Sequence, residues 1–381
     1  MPAVILGYAR TPFARYGGPL ADRPAVELAA AAIRAALERA AVAPDELDEV
    51  IVGQVIAAGE GQIPSRQAAF TAGVPKEIPT ETVNKMCASG MRAVTLAEQL
   101  IRAGDCELVL AGGMESMSRA PYVLPRDLAG EPVERAALLD SMLHDGLVDS
   151  WDGSHMAQFG ARMASEFGIS REEQDRWALR SHERAVRARD GALREEIVQV
   201  GGLAADHGPR PDTSLERLAA LPPVYDPAGT VTAGNASGIS DGAAALVLAD
   251  EAFARARGLE AIARVLGHAA VAGDQPYLAT LPAEAAHKAL ARLGLTAGRL
   301  DRVEVNEAFA SVAINVTRLL GVESDRVNVH GGAIALGHPV GASGARIVGS
   351  LALELRRVGG RGLACICSAG GQGDAIVLEA A

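Results

Sequence analysis

Residues 37–52 read LERAAVAPDELDEVIV, and residues 290–305, 253 positions further on, read LARLGLTAGRLDRVEV. The Leu47-Asp48 pair of the first stretch returns as Leu300-Asp301 in the second. A second match lies at nearly the same offset: CASGMR at 87–92 returns 254 positions later as GASGAR at 341–346. Each hexapeptide leads into an amphipathic stretch, 93–103 and 347–358. Each stretch gives way to a short apolar run ending in glycines, 108–113 and 363–371. Two matches at one offset mark an internal repeat, so the chain divides into two similar α/β halves. Within each half, helical periodicity alternates with the apolar runs 50–52, 108–110, 303–305 and 364–367. That alternation predicts mixed or parallel sheets covered by helices.

Between the halves the text changes. Residues 118–240 hold more His, Trp and Arg, and their Pro/Gly-rich connections at 201–211 and 222–229 read as loops. A helix is predicted over 170–189, opened by a Ser170-x-x-Glu173 capping box. This segment reads as a loop-rich insertion that emerges from the first half and covers a ligand. The expected organisation is therefore 1–117 with 241–259 as the first half, 118–240 as the insertion, and 260–381 as the second half.

With 381 residues the chain is long enough for two or three packed units. Hydrophobic residues make up 49% and aromatic ones only 3%, so the core must come from closely packed Ala- and Gly-rich elements. A net charge of −11 argues against a nucleic-acid footprint, which shows as a basic face. It leaves room for an anionic ligand in a local basic pocket. Four cysteines (Cys87, Cys106, Cys365, Cys367) in a chain this long form no disulfide framework, and a reducing cytoplasm is the expected location. The opening MPAVILGYARTPF has no cationic stretch before a long apolar run, so no signal peptide is expected, and no 18-residue apolar segment predicts a membrane span.

Four segments carry candidate chemistry. Cys87 stands just ahead of the helix pattern at 91–103, where the helix dipole would lower its pKa; a small buried cysteine is the alternative reading. His338 lies in GGAIALGHPVGASGAR at 331–346, whose glycines permit close backbone approach; a phosphate loop with a bystander histidine is the alternative. Cys367 closes an apolar run. With Cys365 it would make a poor metal pair, since zinc ligands are spaced by two or more residues and come in fours. A backbone N–H after Cys367 suits an oxyanion better. Asn306-Glu307 follows the apolar run 303–305 and reads either as a helix cap or as site residues.

Taken together, these blocks resemble the thiolase family. VNKMCASGMRAV at 83–94, GNASGISDGAA at 234–244, VNEAFA at 305–310, HGGAIALGHPVGASGAR at 330–346 and CSAGGQG at 367–373 all carry the likeness, with AGGMESMS at 111–118 beside them. The resemblance implies a five-layer αβαβα core from two similar halves, plus the loop-rich insertion. It implies an acyltransferase that makes or cleaves a carbon–carbon bond beside a coenzyme A thioester. Cys87 would be the nucleophile and His338 its base, with Cys367 the acid–base on the α-carbon and Asn306 a holder of water at the enolate oxygen. Backbone N–H groups of Cys87 and Ala369 would form an oxyanion hole. Ser237, Arg210, His155, Met156 and Phe309 would line the acyl-CoA site. Acyl-CoA and CoA would be substrates, no metal or redox cofactor would be needed, and a homodimer or homotetramer is expected.

Three positions depart from the family text. Ala369 stands where Gly is usual, residues 276–282 replace a common Met-Gly-x-Gly-Pro stretch, and Ser240 replaces a frequent Asn without an expected role. Two other readings stand beside the first. One is a ketosynthase or hydroxymethylglutaryl-type synthase, whose site usually lacks a second catalytic cysteine. The other is a non-catalytic acyl-CoA carrier, which often loses part of the Cys/His/Asn/Cys set.

Overall fold

A computed structural model describes residues 2–124, 138–274 and 278–381. The first half begins with β1 (Ala3–Arg10), β2 (Ala14–Arg15), α1 (Ala25–Ala40), β3 (Glu49–Gly53), α2 (Pro64–Ala72), β4 (Thr80–Val83), α3 (Ser89–Ala103) and β5 (Leu108–Ser116). Next come the hairpin strands β6 (Tyr122–Val123) and β7 (Leu139–Asp140). Helices α4 (Met156–Glu166), α5 (Arg171–Ala188), α6 (Ala192–Glu196) and α7 (Leu215–Ala219) follow, and the chain then returns through β8 (Ser240–Asp250) and α8 (Glu251–Ala256). The remainder forms β9 (Ala263–Ala272), α9 (Leu281–Arg292), β10 (Arg302–Val305), α10 (Ala310–Leu320), α11 (Ala333–Leu336), α12 (Val340–Val358), β11 (Arg361–Ser368) and β12 (Gln372–Ala380).

The repeat is visible in the strand order, β10-β11-β12-β9-β1-β8-β5-β3-β4. The first-half series β3-β5-β8-β1 mirrors the second-half series β10-β11-β12-β9, with parallel pairing at β3–β5 and β10–β11 and antiparallel pairing elsewhere in both. The two series are joined edge to edge where Val4 and Ile5 of β1 pair with Arg264 and Ala263 of β9.

Three apolar layers alternate with these two half-sheets. On one outer face α1 buries Leu28, Ala29, Ala32, Ile33 and Ala36 at helical spacing against β1 and β8. Between the half-sheets lie α3 and α12, with Met91, Val94, Ile347 and Leu351 packed among Ile5, Leu246, Ile366 and Ile376. On the far face α9 and α10 cover β9–β12, joined by Phe159 and Trp177 of the insertion. The order is helix, sheet, helix, sheet, helix. Full burial of each such Leu or Ile contributes about 1.5–3 kcal/mol, so many medium-sized side chains replace the missing aromatics.

The central pair packs closely. Gly90 of α3 and Gly344 of α12 hold equivalent places in the repeat. A Cβ on Gly344 would stand 2.4 Å from the Met91 nitrogen, and one on Gly90 would stand 2.7 Å from the Ala345 nitrogen. Neither site has room for a side chain, so the two helix N-termini are brought together at the centre of the molecule.

The insertion folds as its capping box predicts. Ser170 Oγ accepts the Glu173 N–H at 3.2 Å, and the Glu173 carboxylate accepts the Ser170 N–H at 2.9 Å. Helix α12 starts at Val340 and includes the amphipathic stretch 347–358, its glycines admitted by close packing on α3. One sequence reading is corrected here. Asn306 caps no helix: α10 begins at Ala310, and Phe309 instead forms a bridge with Ala236.

Candidate active site

Cys87 lies two residues ahead of α3, on a turn in which Met86 adopts φ 48, a left-handed conformation that a side chain disfavours. Local bonds hold this turn. Ser89 Oγ accepts the Lys85 N–H at 2.8 Å and donates to the Met86 carbonyl at 2.6 Å. The loop is also fastened to the second half. Lys85 Nζ meets Asp374 Oδ1 at 2.7 Å, and Ser368 Oγ donates to the Lys85 carbonyl at 2.7 Å. Ser368 follows Cys367 at the end of β11, so these two bonds tie the Cys87 turn to the strand that carries the other thiol.

His338 sits just before α12, near the N-terminus equivalent to that of α3. Its N–H donates to the Gly238 carbonyl at 3.0 Å and approaches Ser240 Oγ at 3.2 Å. Gly337 has φ 112, and a Cβ there would lie 2.3 Å from Ser240 Oγ, so the turn needs glycine. Ser240 was expected to have no role. It is fully buried and helps to seat the histidine backbone, which corrects that reading.

On the ring, His338 Nδ1 lies 2.5 Å from Ser343 Oγ, and Ser343 Oγ donates to the Pro339 carbonyl at 2.9 Å. With its own proton directed at Pro339, Ser343 accepts Nδ1–H, which leaves the lone pair on Nε2. Among the described residues Nε2 has no hydrogen-bond partner. Burial pushes the imidazole down to about 4, with Arg346 nearby adding to the shift, so His338 is neutral at pH 7.

A cavity of about 230 Å³ brings the pieces together. Its wall includes Cys87, His338, Cys367 and Ala369, along with Ser237, His155, Met156 and Phe309. Ser237 Oγ donates to the Ala308 carbonyl at 3.0 Å, which aligns the 235–238 segment with the Asn306–Phe309 turn. His155 caps α4 by accepting the Ala157 N–H on Nδ1 at 3.1 Å, and its ring stacks on Tyr225 with centroids 3.7 Å apart. Most of the remaining lining is apolar, including Met117, Leu147, Leu278 and Val340. Pro276 and Tyr277 of the divergent 276–282 stretch lie outside the described residues; Leu278 reaches the cavity wall.

Two site candidates stand off this wall. Asn306 is fully buried beside it, and among the described residues neither Oδ1 nor Nδ2 of its amide is hydrogen-bonded. Arg210 borders a separate cleft of about 300 Å³ with His182 and Arg187. Its backbone N–H donates to His182 Nδ1 at 3.2 Å.

The thiols differ from the expectation. Burial pushes Cys87 up to about 11, against the backbone N–H groups of Ala369 and of Cys87 itself, which favour the thiolate. The predicted lowering by the helix dipole is thus corrected: an apolar cavity outweighs a helix N-terminus two residues away. Cys367 is pushed further up, by burial first and then by the neighbouring Cys87 sulfur. Both are protonated at pH 7, and the imidazole on the same wall is free to accept a proton.

Two thiols and a neutral histidine around one apolar cavity, on a five-layer α/β scaffold, equip a cysteine-based enzyme. The family models agree: residues 3–252 match the thiolase N-terminal domain and residues 259–380 the thiolase C-terminal domain. A probable acetyl-CoA acetyltransferase of Mycolicibacterium smegmatis is 46% identical, over 99% of this chain and 100% of that protein. An acetyl-CoA acetyltransferase of Chromobacterium violaceum is 46% identical over the whole of both chains. A probable acetyl-CoA acyltransferase of Staphylococcus epidermidis is 45% identical, over 100% of this chain and 99% of that one. The chain belongs to the thiolase family of acyltransferases.

Proposed function

We propose that the protein catalyses the reversible condensation and thiolytic cleavage of 3-ketoacyl-CoA through an acyl-thioester on Cys87. The observation that carries this reading is the placement of Cys87, His338 and Cys367, from both halves of the repeat, on one cavity.

In the cleavage direction Cys87 Sγ attacks the 3-keto carbon while its proton passes to His338 Nε2. A thiol near 11 does not hand its proton to an imidazole near 4 in advance, so transfer accompanies carbon–sulfur bond formation. The oxyanion that forms lies against the N–H groups of Cys87 and Ala369. Collapse breaks the bond between the α- and β-carbons. Cys367 then gives its proton to the departing carbanion, which leaves as acetyl-CoA, and the acyl group stays on Cys87. A CoA thiol next attacks the thioester and gives its proton to the Cys367 thiolate; the acyl group leaves on CoA, and the released Cys87 sulfur recovers its proton from His338 Nε2. Condensation runs the same steps backwards, with Cys367 removing the α-proton.

His338, once protonated on Nε2, is a donor for the enolate oxygen, and the unpaired Asn306 amide suits a water at the same atom. The reaction calls for no metal or redox cofactor, because the thioester acidifies its own α-carbon. Met156, Phe309 and Ser237 would line the pantetheine path, with Arg210 toward the nucleotide end.

A homodimer or homotetramer is the assembly we favour, since half-exposed β4 ends the strand order and offers an edge for pairing. Four free cysteines fit a reducing cytoplasm. Among the described residues no helix is long and apolar enough to cross a membrane. Steady-state thiolysis of acetoacetyl-CoA by free CoA tests the reading. Turnover that Cys87→Ala abolishes supports it, whereas tight binding of CoA esters without turnover points to a carrier.

A further inference from the structure

Glu115 is a buried carboxylate that the mechanism above does not use. It is near the end of β5 and fully inaccessible. Its Oε2 accepts the N–H of Val55 at 3.0 Å and of Gly341 at 2.9 Å, and its Oε1 accepts the N–H of Ile56 at 3.1 Å. Among the described residues no Lys, Arg or His pairs with it. A buried carboxylate held by backbone N–H groups alone is costly, and the arrangement survives only where the surroundings fix it.

The three N–H groups come from both halves. Val55 and Ile56 follow β3 and pack with Met117 and Val340 in one apolar cluster that also touches Cys87. Gly341 opens the first turn of α12, three residues after His338. The carboxylate therefore fastens the wall behind the nucleophile to the helix start that carries the base. Its oxygens receive donors only, and with the positive end of the α12 dipole these oppose, without overcoming, the burial that disfavours the anion. The anion acts on Cys87, whose thiolate it disfavours.

We propose that Glu115 is a positioning residue for the nucleophile: from the wall behind Cys87, its carboxyl group binds Val55 and Ile56 on one side and Gly341 on the other and so sets His338 against Cys87. The clamp keeps the base in reach once the carbonyl binds; burial is what chiefly holds Cys87 as a thiol, with the Glu115 charge a smaller push in the same direction. Burial pushes Glu115 itself up to about 7, opposed by its three N–H donors, with Glu60 as the other carboxylate acting on it. Arg119 acts in turn on Glu60, and the Cys87 sulfur acts on Cys367.

This inference rests on Cys87 and His338 acting as proposed above, and its test separates the two. Glu115→Gln keeps the shape and removes the charge; Glu115→Asp keeps the charge and withdraws the oxygens from their donors. The readouts are the pH dependence of iodoacetamide alkylation at Cys87, located by peptide mass, and kcat for acetoacetyl-CoA thiolysis. In Glu115→Gln the alkylation midpoint should move to lower pH by about half a unit or more, since a nearby negative charge is lost. In both variants kcat should fall by about tenfold or more, as misplacement of a base by a fraction of an ångström requires. Glu115→Asp should alkylate with a midpoint close to that of the wild type.

An unmoved midpoint in Glu115→Gln, or turnover within about twofold of wild type in either variant, overturns the proposal. Should Glu115→Gln fail to fold, Glu115→Asp alone still decides the clamp. Wild-type enzyme that never turns over sinks the functional reading, yet leaves the alkylation comparison intact.

Discussion

The backbone N–H of Ala369 shares a cavity wall with the thiol of Cys87, 282 positions away in sequence, and favours its thiolate. This placement exists because the Cys87 turn is fastened to the end of β11 through Lys85–Asp374 and through Ser368 on the Lys85 carbonyl. Ala369 is absent from the residues with positive φ, so its Cβ sits on an ordinary backbone, and the alanine keeps the N–H that a glycine would supply.

It follows that Ala369→Gly should turn over acetoacetyl-CoA within about threefold of wild type, because the donor is retained. Ala369→Pro removes the donor and should lower kcat by about 100- to 1000-fold. Equal activity in the proline variant would remove Ala369 from the oxyanion hole.

Ser343 sets the tautomer of His338. Ser343→Ala frees Nδ1, so the ring can carry its proton on Nε2 and lose its basic lone pair toward Cys87. The expected loss in kcat is about 100-fold, the low end of what a positioned base contributes. Since the substrate wall is untouched, KM should change little. A large rise in KM with unchanged kcat would contradict this role.

The neutral state of His338 has a consequence for stability. Its imidazole is pushed from the ordinary 6.5 down to about 4, so between those values the unfolded chain takes up a proton that the folded one refuses. Stability is therefore lost as pH falls through this window, by about 2 kcal/mol at pH 5 from this group. Urea unfolding at pH 7 and pH 5 should show the wild type losing about that much more than His338→Gln. Equal losses would place the histidine in water, not in a dry wall.

Close approach of α3 and α12 predicts a reversal of helix propensity. Alanine is the better helix former by about 1 kcal/mol, yet Gly344→Ala should destabilise by about 1–3 kcal/mol, because its Cβ meets Met91 backbone. Activity should fall with it, since the helices place Cys87 and His338. A higher urea midpoint would contradict the packing described.

Much of this was readable in the chain. The repeat at 37–52 and 290–305 became β3 and β10 in equivalent places, and the Ser170 box opened α5 as expected. Cys87, His338 and Cys367 were picked out by local text and did meet. What stayed hidden depends on partners distant in sequence. The β1–β9 join links Val4 to Arg264 and leaves no local signal. The rise in the Cys87 pKa comes from a wall assembled by both halves and the insertion, whereas the helix that suggested a fall is local. Ser240 and Ser343 looked like filler because a serine declares its role only through its partner. For Ser343 a hint existed: it is the repeat counterpart of Ser89, and each donates to a carbonyl just before its own helix.

Intact-mass and peptide-mass analysis after incubation with acetyl-CoA examines the central claim directly, that two sulfurs of unequal role share one acyl group. One acetyl group should appear on Cys87, be absent in Cys87→Ala, and persist in Cys367→Ala, which should then fail to form a carbon–carbon bond. An acetyl group found on Cys367, or none on the wild-type protein, would contradict the account.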